Sequence, residues 1–507
     1  MIRWIKNNWL LLIILAVSLG LRLYRISATM TFLEDEGRDL LIVKRMLDTH
    51  LPVLLGPQTS TGNMYLGPLY YYLITPALVL SHMDPVGPAI AIAISGMLTT
   101  YFLYILGKKW FSRSAGYVAA LLFAILPYPL AVTRASWNPN LVPLTSVLML
   151  LVFDKLVFEK SRLGRWWFAF GVGVGTMMQL HYMALVFCGI LTLGLIWAGR
   201  REIKHLLVGA LLALVGFAMI MSPFFLFEVR NHWVDTKALV GFVTATREHN
   251  LRYDPPLWLY WQKLAGTGSM LIENTLVGTD MGNVKAGLPA LVGFLLVVGV
   301  SLWVTRGKKH GAYIALVLML IGSMLILGFY QETIHPHYLE FGIPLVILLI
   351  SPLFAKKLNF VILLFTLALS VQYSLGYITS GPTHQAEKAK AVAGYITAHA
   401  GSVPYNVVST QGTYTSPFQY FLAISDNPPS NTLQKRVFDI CVGAPCPIDD
   451  ETTTLLFLTG PSHPALAAYL GHPQLNSFSG KRIMVSNEHV SYGIWVAEID
   501  LENPGTP

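Results

Sequence analysis

The densest group of side chains that could do chemistry lies near the N-terminus, in the acidic residues 34–39. Neighbouring carboxylates can hold a divalent cation through their oxygens, and one carboxylate can act as a general base toward a hydroxyl group. The arginine among them can bind phosphate. The local pattern also fits a helix start, because Thr31 and Glu34 match a capping box and acids favour a helix N-terminus. We therefore expect a helix here, with Asp35 and Glu36 as candidate catalytic acids.

The composition excludes an ordinary soluble enzyme of this length. Of the 507 residues, 54% are hydrophobic and only 12% are charged, and the mean hydropathy is +0.55. Soluble domains carry about 25% charged residues. The apolar residues fall in runs of roughly 16–22, which can cross a hydrocarbon core of about 30 Å. The net charge of +8 comes from Lys and Arg at the ends of these runs, so it reflects membrane orientation and not nucleic-acid binding.

The basic residues predict how the chain is threaded through the membrane. The first span, residues 9–24, follows basic residues and has no clear cleavage site behind it, so we expect an uncleaved helix with its N-terminus inside. Residues 66–81 contain Pro68 and Pro76 and are expected to lie at the interface without crossing it. Every basic cluster then falls in an inner loop. This predicts an α-helical polytopic protein with about eleven spans and an extracytoplasmic C-terminus.

Three regions are expected on the outer side of the membrane. Residues 26–85 form a first outer loop with juxtamembrane helices, and residues 224–288 form a second one. Residues 379–507 lose the long apolar runs, which predicts a small soluble α/β domain after a transmembrane domain of residues 1–378. A helix is expected in this domain at residues 385–399. The expected strands are residues 403–409, 454–458 and 492–499.

Two segments carry a resemblance to a known superfamily. Residues 32–39, Phe-Leu-Glu-Asp-Glu-Gly-Arg-Asp, resemble the Asp-Glu-x-Arg motif in the first outer loop of bacterial GT-C transferases of the aminoarabinose-transferase and protein O-mannosyltransferase type, the glycosyltransferase family 39-like group. Residues 63–72 look like the Lys-Pro-Pro-Leu-x-Tyr segment of the same enzymes, which is likewise juxtamembrane. The resemblance covers roughly the first 240 residues, and beyond them it is only architectural.

The resemblance implies an inverting glycosyltransferase of the cytoplasmic membrane. The donor would be a polyprenyl-phosphate sugar, and the acceptor an envelope glycan, a lipid or a protein. By this resemblance Asp35 is the catalytic carboxylate, Glu36 assists it and Arg38 meets the donor phosphate. The resemblance also allows a divalent cation on Asp35 and Glu36. It implies the lipid bilayer as a partner and no nucleic acid.

The chain departs from the family pattern in two places. Leu66 and Gly67 stand where the family has a lysine, so another base would have to bind the donor phosphate. The candidates are Arg134, Arg230 and Arg247. Asn138 lies where many relatives have a second acid, and an amide cannot act as a base. This weakens the expectation of a metal site with two acids.

Polar residues near the outer span ends are weaker candidates for an acceptor site or pocket. They are Tyr65, Asn138, His181, His335 and His337. Histidines there could bind metal, but interfacial His and Tyr are common without such a role. Glu228 and Arg230 flank the end of a span and can simply form a pair.

Glycines and cysteines of the chain are expected to be structural. The glycines within residues 171–175 lie in a span and predict close helix packing. Cys188 also lies in a span and is expected to pack in the core. Cys441 and Cys446 fall in the outer domain, where they could form a disulfide or stay free. Zinc is disfavoured because no CxxC or histidine pair accompanies them.

Other functions fit parts of the same sequence. A membrane transporter or flippase would also have many spans, but it should show internal repeats and charged residues near mid-membrane. An oligosaccharyltransferase should carry a Trp-Trp-Asp motif in its soluble domain, and this chain has none. A catalytically inactive scaffold remains compatible with the sequence.

Overall fold

The structure is a computed structural model that describes most of the chain. It covers residues 2–59, 64–249, 257–276, 310–330, 333–354, 383–411, 415–430, 432–447, 482–491 and 493–502, with a few isolated positions between them. The helices and strands, in chain order, are α1 Ile2–Leu23, α2 Ile26–Thr29, α3 Glu34–Thr49, α4 Leu69–Leu80, α5 Val86–Trp110, α6 Arg113–Ile125, α7 Pro127–Val132, α8 Val142–Phe153, α9 Gly164–Leu180, α10 Ala184–Gly199, α11 Ile203–Arg230, α12 Val234–His249, α13 Leu257–Leu276, α14 His310–Leu327, α15 Ile343–Phe354, α16 Gln385–Ala400, β1 Tyr405–Gln411, α17 Ser416–Ala423, β2 Arg436–Val442, β3 Arg482–Ser491 and β4 Ile494–Leu501. Short 3₁₀-helices at Asn138–Leu141 and Pro336–Gly342 precede α8 and α15.

The chain folds into two compact units. The first comprises Met1–Ile26, Val53–Ile74 and Pro88–Gly381, and the second comprises Ser27–Pro52, Thr75–Gly87 and Pro382–Pro507. The second unit therefore joins the start of the first predicted outer loop to the C-terminal region. The domains predicted from the sequence are continuous segments. They do not include this association, because it depends on contacts between segments that are distant in the chain.

Apolar helices long enough to cross a bilayer confirm a multi-pass membrane protein. The described residues contain four, Val86–Trp110, Asn138–Phe158, Ile203–Arg230 and Pro336–Leu353. Only 22% of the apolar window of Ile203–Arg230 is buried by the described residues, against 94% for Pro336–Leu353. The predicted count of about eleven spans is not confirmed by the part of the chain described.

Helix α4 has the length expected for a segment that does not cross the membrane. Its 12 residues rise about 18 Å, which is well short of a hydrocarbon core of about 30 Å. Pro76 lies inside the helix. The interfacial position predicted for residues 66–81 is therefore compatible with the structure.

Helices α9 and α11 pack with their backbones in close approach. A Cβ added to Gly171 would lie 1.7 Å from the Ala213 carbonyl oxygen, and one added to Gly216 would lie 2.3 Å from the Phe168 carbonyl oxygen. Only glycine allows such an approach, as in other membrane bundles. The packing role predicted for residues 171–175 is confirmed.

The apolar run of residues 115–132, which is long enough for one span, is divided into two helices. Helix α6 ends at Ile125, Leu126 is extended, and α7 begins at Pro127. A proline cannot donate the backbone hydrogen bond that would continue the helix. Arg22 of α1 donates to the freed carbonyl oxygens of Phe123 and Ala124, at 3.1 and 3.3 Å.

The second unit contains the predicted α/β fold. Its sheet has the strand order β1-β2-β4-β3, with β1 and β2 parallel and the other pairs antiparallel. The helix predicted at residues 385–399 is α16, and the strands predicted at 403–409 and 492–499 are β1 and β4. The strand predicted at 454–458 lies outside the described residues. Cys441 and Cys446 form a disulfide in the core of this sheet, as one of the two expectations had it.

Candidate functional site

The acidic segment begins helix α3, but not with the capping pair predicted from the sequence. The helix starts at Glu34, and Leu33 occupies the cap position. The backbone N–H of Leu33 donates to Glu36 Oε2 at 2.9 Å, which is the return half of a capping box. The expected pairing of Thr31 with Glu34 was wrong, because Glu34 is drawn to another element.

Glu34 binds the start of helix α17. Its Oε2 accepts from the backbone N–H groups of Thr415 and Ser416 at 2.8 and 3.0 Å, and its Oε1 accepts from Ser416 Oγ at 2.6 Å. The first N–H groups of a helix have no partner within the helix. Glu34 therefore caps a helix that begins 382 residues later in the chain.

Arg38 links the two remaining acids of the segment. Its guanidinium donates to Asp35 Oδ1 and to Asp39 Oδ1, each at 2.7 Å. The Asp39 side chain is 1% exposed, whereas the Asp35 side chain is 44% exposed. With Glu34 committed to α17 and Glu36 buried, Asp35 is the carboxylate of this segment that a substrate can reach.

Glu36 is buried and titrates close to neutral pH. Burial is the main cause that raises its pKa, to about 7, and the charges of Asp35 and Asp39 add to it, while the bond from Leu33 opposes the shift. A buried group that bonds its own helix start has little access to a substrate. The structure thus shows a helix-capping role for Glu36.

The described residues of α3 do not by themselves provide a full cation site. Residues 34–39 offer one accessible carboxylate, which is fewer ligands than a divalent cation takes in proteins. Among the described residues, three His, Cys, Asp or Glu side chains bring their ligand atoms within 4.8 Å of one another only at Asp439, Cys441 and Cys446. Those two cysteines are joined in the disulfide and are not available as thiolates.

Arg134 lies in the first unit and holds the end of α1. Its guanidinium donates to the carbonyl oxygens of Leu21, Arg22 and Tyr24, the last two at 3.0 and 2.8 Å. A cation at a helix C-terminus is favoured by the helix dipole. Arg134 is 1% exposed, so this contact accounts for its burial.

The other two arginines proposed for phosphate lie at α11 and α12. Arg230 ends α11 and is exposed. Arg247 falls in α12, and its side chain is outside the described part of the structure. Glu228 does not pair with Arg230 as expected, because its oxygens accept from the backbone N–H groups of Asp235 and Thr236 at 3.1 and 2.8 Å.

The three predicted histidines come together with two aromatic residues of the first unit. The ring centroids of His337 lie 4.6 Å from Trp137, 5.4 Å from His181 and 5.7 Å from His335. Tyr338 contacts all three histidines at 4.6–5.4 Å. We call Trp137, His181, His335, His337 and Tyr338 the ring cluster. Its members other than Tyr338 are partly or largely exposed.

Backbone contacts fix the ring cluster in place. Asn138 Nδ2 donates to the Leu180 carbonyl oxygen at 2.6 Å, which joins the loop of Trp137 to the loop of His181. His181 Nδ1 is 3.3 Å from the backbone N–H of Met183 and accepts from it, so Nε2 carries the ring proton. Burial lowers the pKa of His181 to about 4, which keeps the imidazole neutral.

Tyr65 is held by residues that the sequence analysis did not single out. Its backbone N–H donates to Asp235 Oδ1 at 2.6 Å, and its carbonyl oxygen accepts from Tyr182 at 2.5 Å. Burial chiefly, and the Glu228 charge next, raise the pKa of Asp235 to about 7. The only signal in the sequence was an acid near the start of α12, and nothing local connects it to Tyr65.

An apolar cavity of about 450 Å³ lies between α13 and α14. Its walls include Trp261, Leu264, Leu271, Leu320 and Met324. The surface is almost wholly apolar, so the cavity suits hydrocarbon better than a polar solute.

Comparisons with known proteins give a family match and a likeness to solved structures. The family described as dolichyl-phosphate-mannose-protein mannosyltransferase matches residues 66–227. Among solved structures, ArnT from Cupriavidus metallidurans bound to undecaprenyl phosphate superposes with a TM-score of 0.59 and 13% identity, covering 99% of each chain. Its apo state gives a TM-score of 0.57 and 14% identity, covering 97% of this chain and 98% of that one.

A weaker likeness extends to an archaeal protein. The Archaeoglobus fulgidus oligosaccharyltransferase, solved with Zn and sulfate, gives a TM-score of 0.49 and 13% identity, covering 83% of this chain and 62% of that one. No curated protein sequence matches the chain. The two ArnT structures show that the fold extends over nearly the whole chain, beyond the residues that the family match covers.

Proposed function

We propose that this chain is a membrane glycosyltransferase of the GT-C superfamily and that it transfers a sugar from a polyprenyl-phosphate donor to an acceptor on the extracytoplasmic face. The observation that carries the chemistry is the position of Asp35. It is the accessible acid of residues 34–39, and Arg38 holds it at 2.7 Å. The family match to a mannosyltransferase favours this function over transport.

The proposed reaction needs one base and one leaving group. The Asp35 carboxylate accepts the proton of an acceptor hydroxyl group while the hydroxyl oxygen bonds to the anomeric carbon of the sugar. The bond from that carbon to the phosphate oxygen breaks, and its electron pair leaves with the polyprenyl phosphate. Attack from the face opposite the phosphate inverts the anomeric centre.

Arg38 has two roles in this proposal. It orients the Asp35 carboxylate through a charge-assisted hydrogen bond. Its guanidinium is partly exposed and can also meet the departing phosphate. Arg230, exposed at the end of α11, and Arg247 are the further candidates for that contact. Arg134 is less suited, because its guanidinium already binds the end of α1.

We assign the ring cluster of the first unit to a sugar or acceptor group. Aromatic rings pack on the apolar face of a pyranose, and a neutral His181 offers an Nε2–H to a hydroxyl group. The residues on either side of His181 are held by Tyr65, whose carbonyl oxygen accepts from Tyr182, and by Asn138, which donates to the Leu180 carbonyl oxygen. The apolar cavity between α13 and α14 would take isoprene units of the donor.

The distribution of charge and the contacts within the second unit support the extracytoplasmic side. The contacts between α3 and α17 require that both lie on one side of the membrane. The basic loops after α5, near Lys160 and after α10 fall on the other side if α3 lies outside, as the positive-inside rule favours.

The change Asp35→Asn tests this function. It keeps the size of the side chain while removing its charge and basicity, so we expect transfer to fall by at least about 100-fold. Donor turnover is followed as polyprenyl phosphate release from dolichyl-phosphate mannose and from undecaprenyl-phosphate sugars, with host envelope extract as acceptor. Mass spectrometry of the extract identifies the glycosylated product.

Asp48→Asn is the matched control. Asp48 is an exposed acid on the same helix, paired with Lys44 at 2.5 Å, and we expect its loss to leave turnover unchanged. Near-normal turnover by Asp35→Asn protein of equal thermal stability would remove Asp35 from the reaction.

A further inference from the structure

We propose that Glu34 and Gly37 are positioning residues, through which the C-terminal region sets the rotation of α3 and hence the direction of Asp35. This inference rests on the proposed function. The family resemblance implies nothing for either residue, and the fold alone gives the C-terminal region no part in the reaction.

The first contact is the cap that Glu34 places on α17. Thr415 stands at the cap position of that helix, but its side chain makes no capping bond. Glu34 supplies the missing acceptor with both carboxylate oxygens, through three hydrogen bonds of 2.6–3.0 Å. A negative charge at a helix N-terminus is also favoured by the dipole. The bonds tie the first turn of α3 to the first turn of α17.

The second contact is a direct approach of the two backbones at Gly37. A Cβ at this position would lie 2.5 Å from both the Pro417 nitrogen and the Ser416 carbonyl carbon. These are main-chain atoms, so they cannot turn aside as a flexible side chain could. Gly37 lies one turn after Glu34, on the same side of α3. The glycine therefore lets α17 rest on the helix directly.

A third contact closes the arrangement just before α3 begins. The Phe32 ring lies 6.1 Å from Tyr420 and 5.8 Å from Phe421, both on α17. The Phe32 backbone N–H donates to Gln385 Oε1 at 2.7 Å. The chain is thus held by α17 and by α16 at the point where it enters α3.

These contacts fix Asp35 because of the helix geometry. Successive residues of an α-helix are turned by about 100°, so Asp35 and Arg38 lie on the strip next to Glu34 and Gly37. If Glu34 and Gly37 rest against α17, the strip of Asp35 and Arg38 can face only one way. A small rotation of α3 would move the carboxylate by an ångström or more, and such a displacement costs on the order of 100-fold in rate.

A simpler explanation is that Glu34 only stabilises α17, and one double variant separates the two. Glu34→Gln removes the charge and weakens the cap. Thr415→Asp then gives α17 a cap of its own, because Asp is among the best N-cap residues. The double variant restores the helix but not the link to α3. If Glu34 only stabilises α17, the double variant regains kcat. If Glu34 positions α3, kcat stays low.

The experiment measures kcat, the donor KM and the melting temperature of the purified full-length protein. The variants are Glu34→Gln, Glu34→Gln with Thr415→Asp, Gly37→Ala, Asp35→Asn and the control Asp48→Asn, with dolichyl-phosphate mannose and envelope extract as above. We expect Glu34→Gln and Gly37→Ala to lower kcat by about 10-fold or more with the donor KM within about threefold. Thr415→Asp should return the melting temperature and leave kcat low.

The outcomes decide between the two proposals. If the double variant recovers both kcat and stability, the positioning role is wrong and the proposed function stands. The same holds if both single variants have wild-type kcat while Asp35→Asn is inactive. If Asp35→Asn turns over normally, the proposed chemistry itself is wrong. The test stands even if Gly37→Ala does not fold. Glu34→Gln keeps the side-chain size and one acceptor oxygen, so that variant can decide the question alone.

Discussion

Asp35 differs from the other acids of residues 34–39 in what its carboxylate contacts. Glu34 is bound by α17, Glu36 closes the start of its own helix, and Asp39 is buried beside Arg38. The sequence picks out the segment, because acids and an arginine at this spacing are rare in so apolar a chain. It could not show which acid is accessible, since the partners of Glu34 follow it by 381 residues and more.

The buried Glu36 makes the stability of the protein depend on pH. Its pKa rises to about 7 on folding, so between pH 4.5 and 7 the folded protein keeps a proton that the unfolded chain releases. Stability is therefore greatest below the unfolded pKa and falls as the pH rises toward 7. Glu36→Gln keeps the acceptor for Leu33 and cannot ionise. We expect a flatter dependence of melting temperature on pH for this variant.

Melting curves from pH 5 to 8 in detergent test this expectation. Asp235 also titrates at about 7, so the comparison is between the two proteins at each pH. Parallel curves for wild type and variant would show that Glu36 does not titrate in this range.

The elements of the first unit are held by features of two kinds. Some were visible in the sequence, such as the glycines of α9, because small residues in a span predict close packing. Others were not. Arg134 was expected to bind phosphate but caps α1. The break between α6 and α7 was not expected, although Pro127 and Pro129 favour it. The polarity of a residue shows that it needs partners, and only the fold shows which partners it has.

The close approach of α9 and α11 gives a test of helix packing. Gly171→Ala places a methyl group where the Ala213 carbonyl oxygen lies, and we expect a loss of about 1–3 kcal/mol from overpacking. Gly189→Ala in α10 is the matched control, because nothing lies within 4 Å of its added Cβ. That change should be neutral or slightly stabilising.

Thermal unfolding of both variants in the same detergent measures the difference. A Gly171→Ala protein as stable as the Gly189→Ala protein would mean that the two helices can move apart at no cost. The approach would then not be a constraint of the fold.

For the whole molecule, the arrangement of charge predicts which face meets the cytoplasm. Lys160 lies in a basic loop and Asp426 on the second unit, and both are exposed. Single cysteines are placed by Lys160→Cys and Asp426→Cys in a Cys188→Ala background, with the Cys441–Cys446 disulfide kept. An impermeant maleimide added to intact spheroplasts should label the cysteine at 426 and spare the one at 160. The reverse pattern would invert the orientation.

The cap on α17 also sets an order of events during synthesis. Glu34 leaves the ribosome 381 residues before Thr415, which at about 5–20 residues per second is a wait of roughly 20–80 s. Throughout that time Glu34 and Phe32 have no α17 to bind, and the entrance of α3 is open to chaperones and proteases. A nascent chain that stops before residue 382 would never leave this exposed state, so quality control could recognise incomplete molecules by their first outer loop.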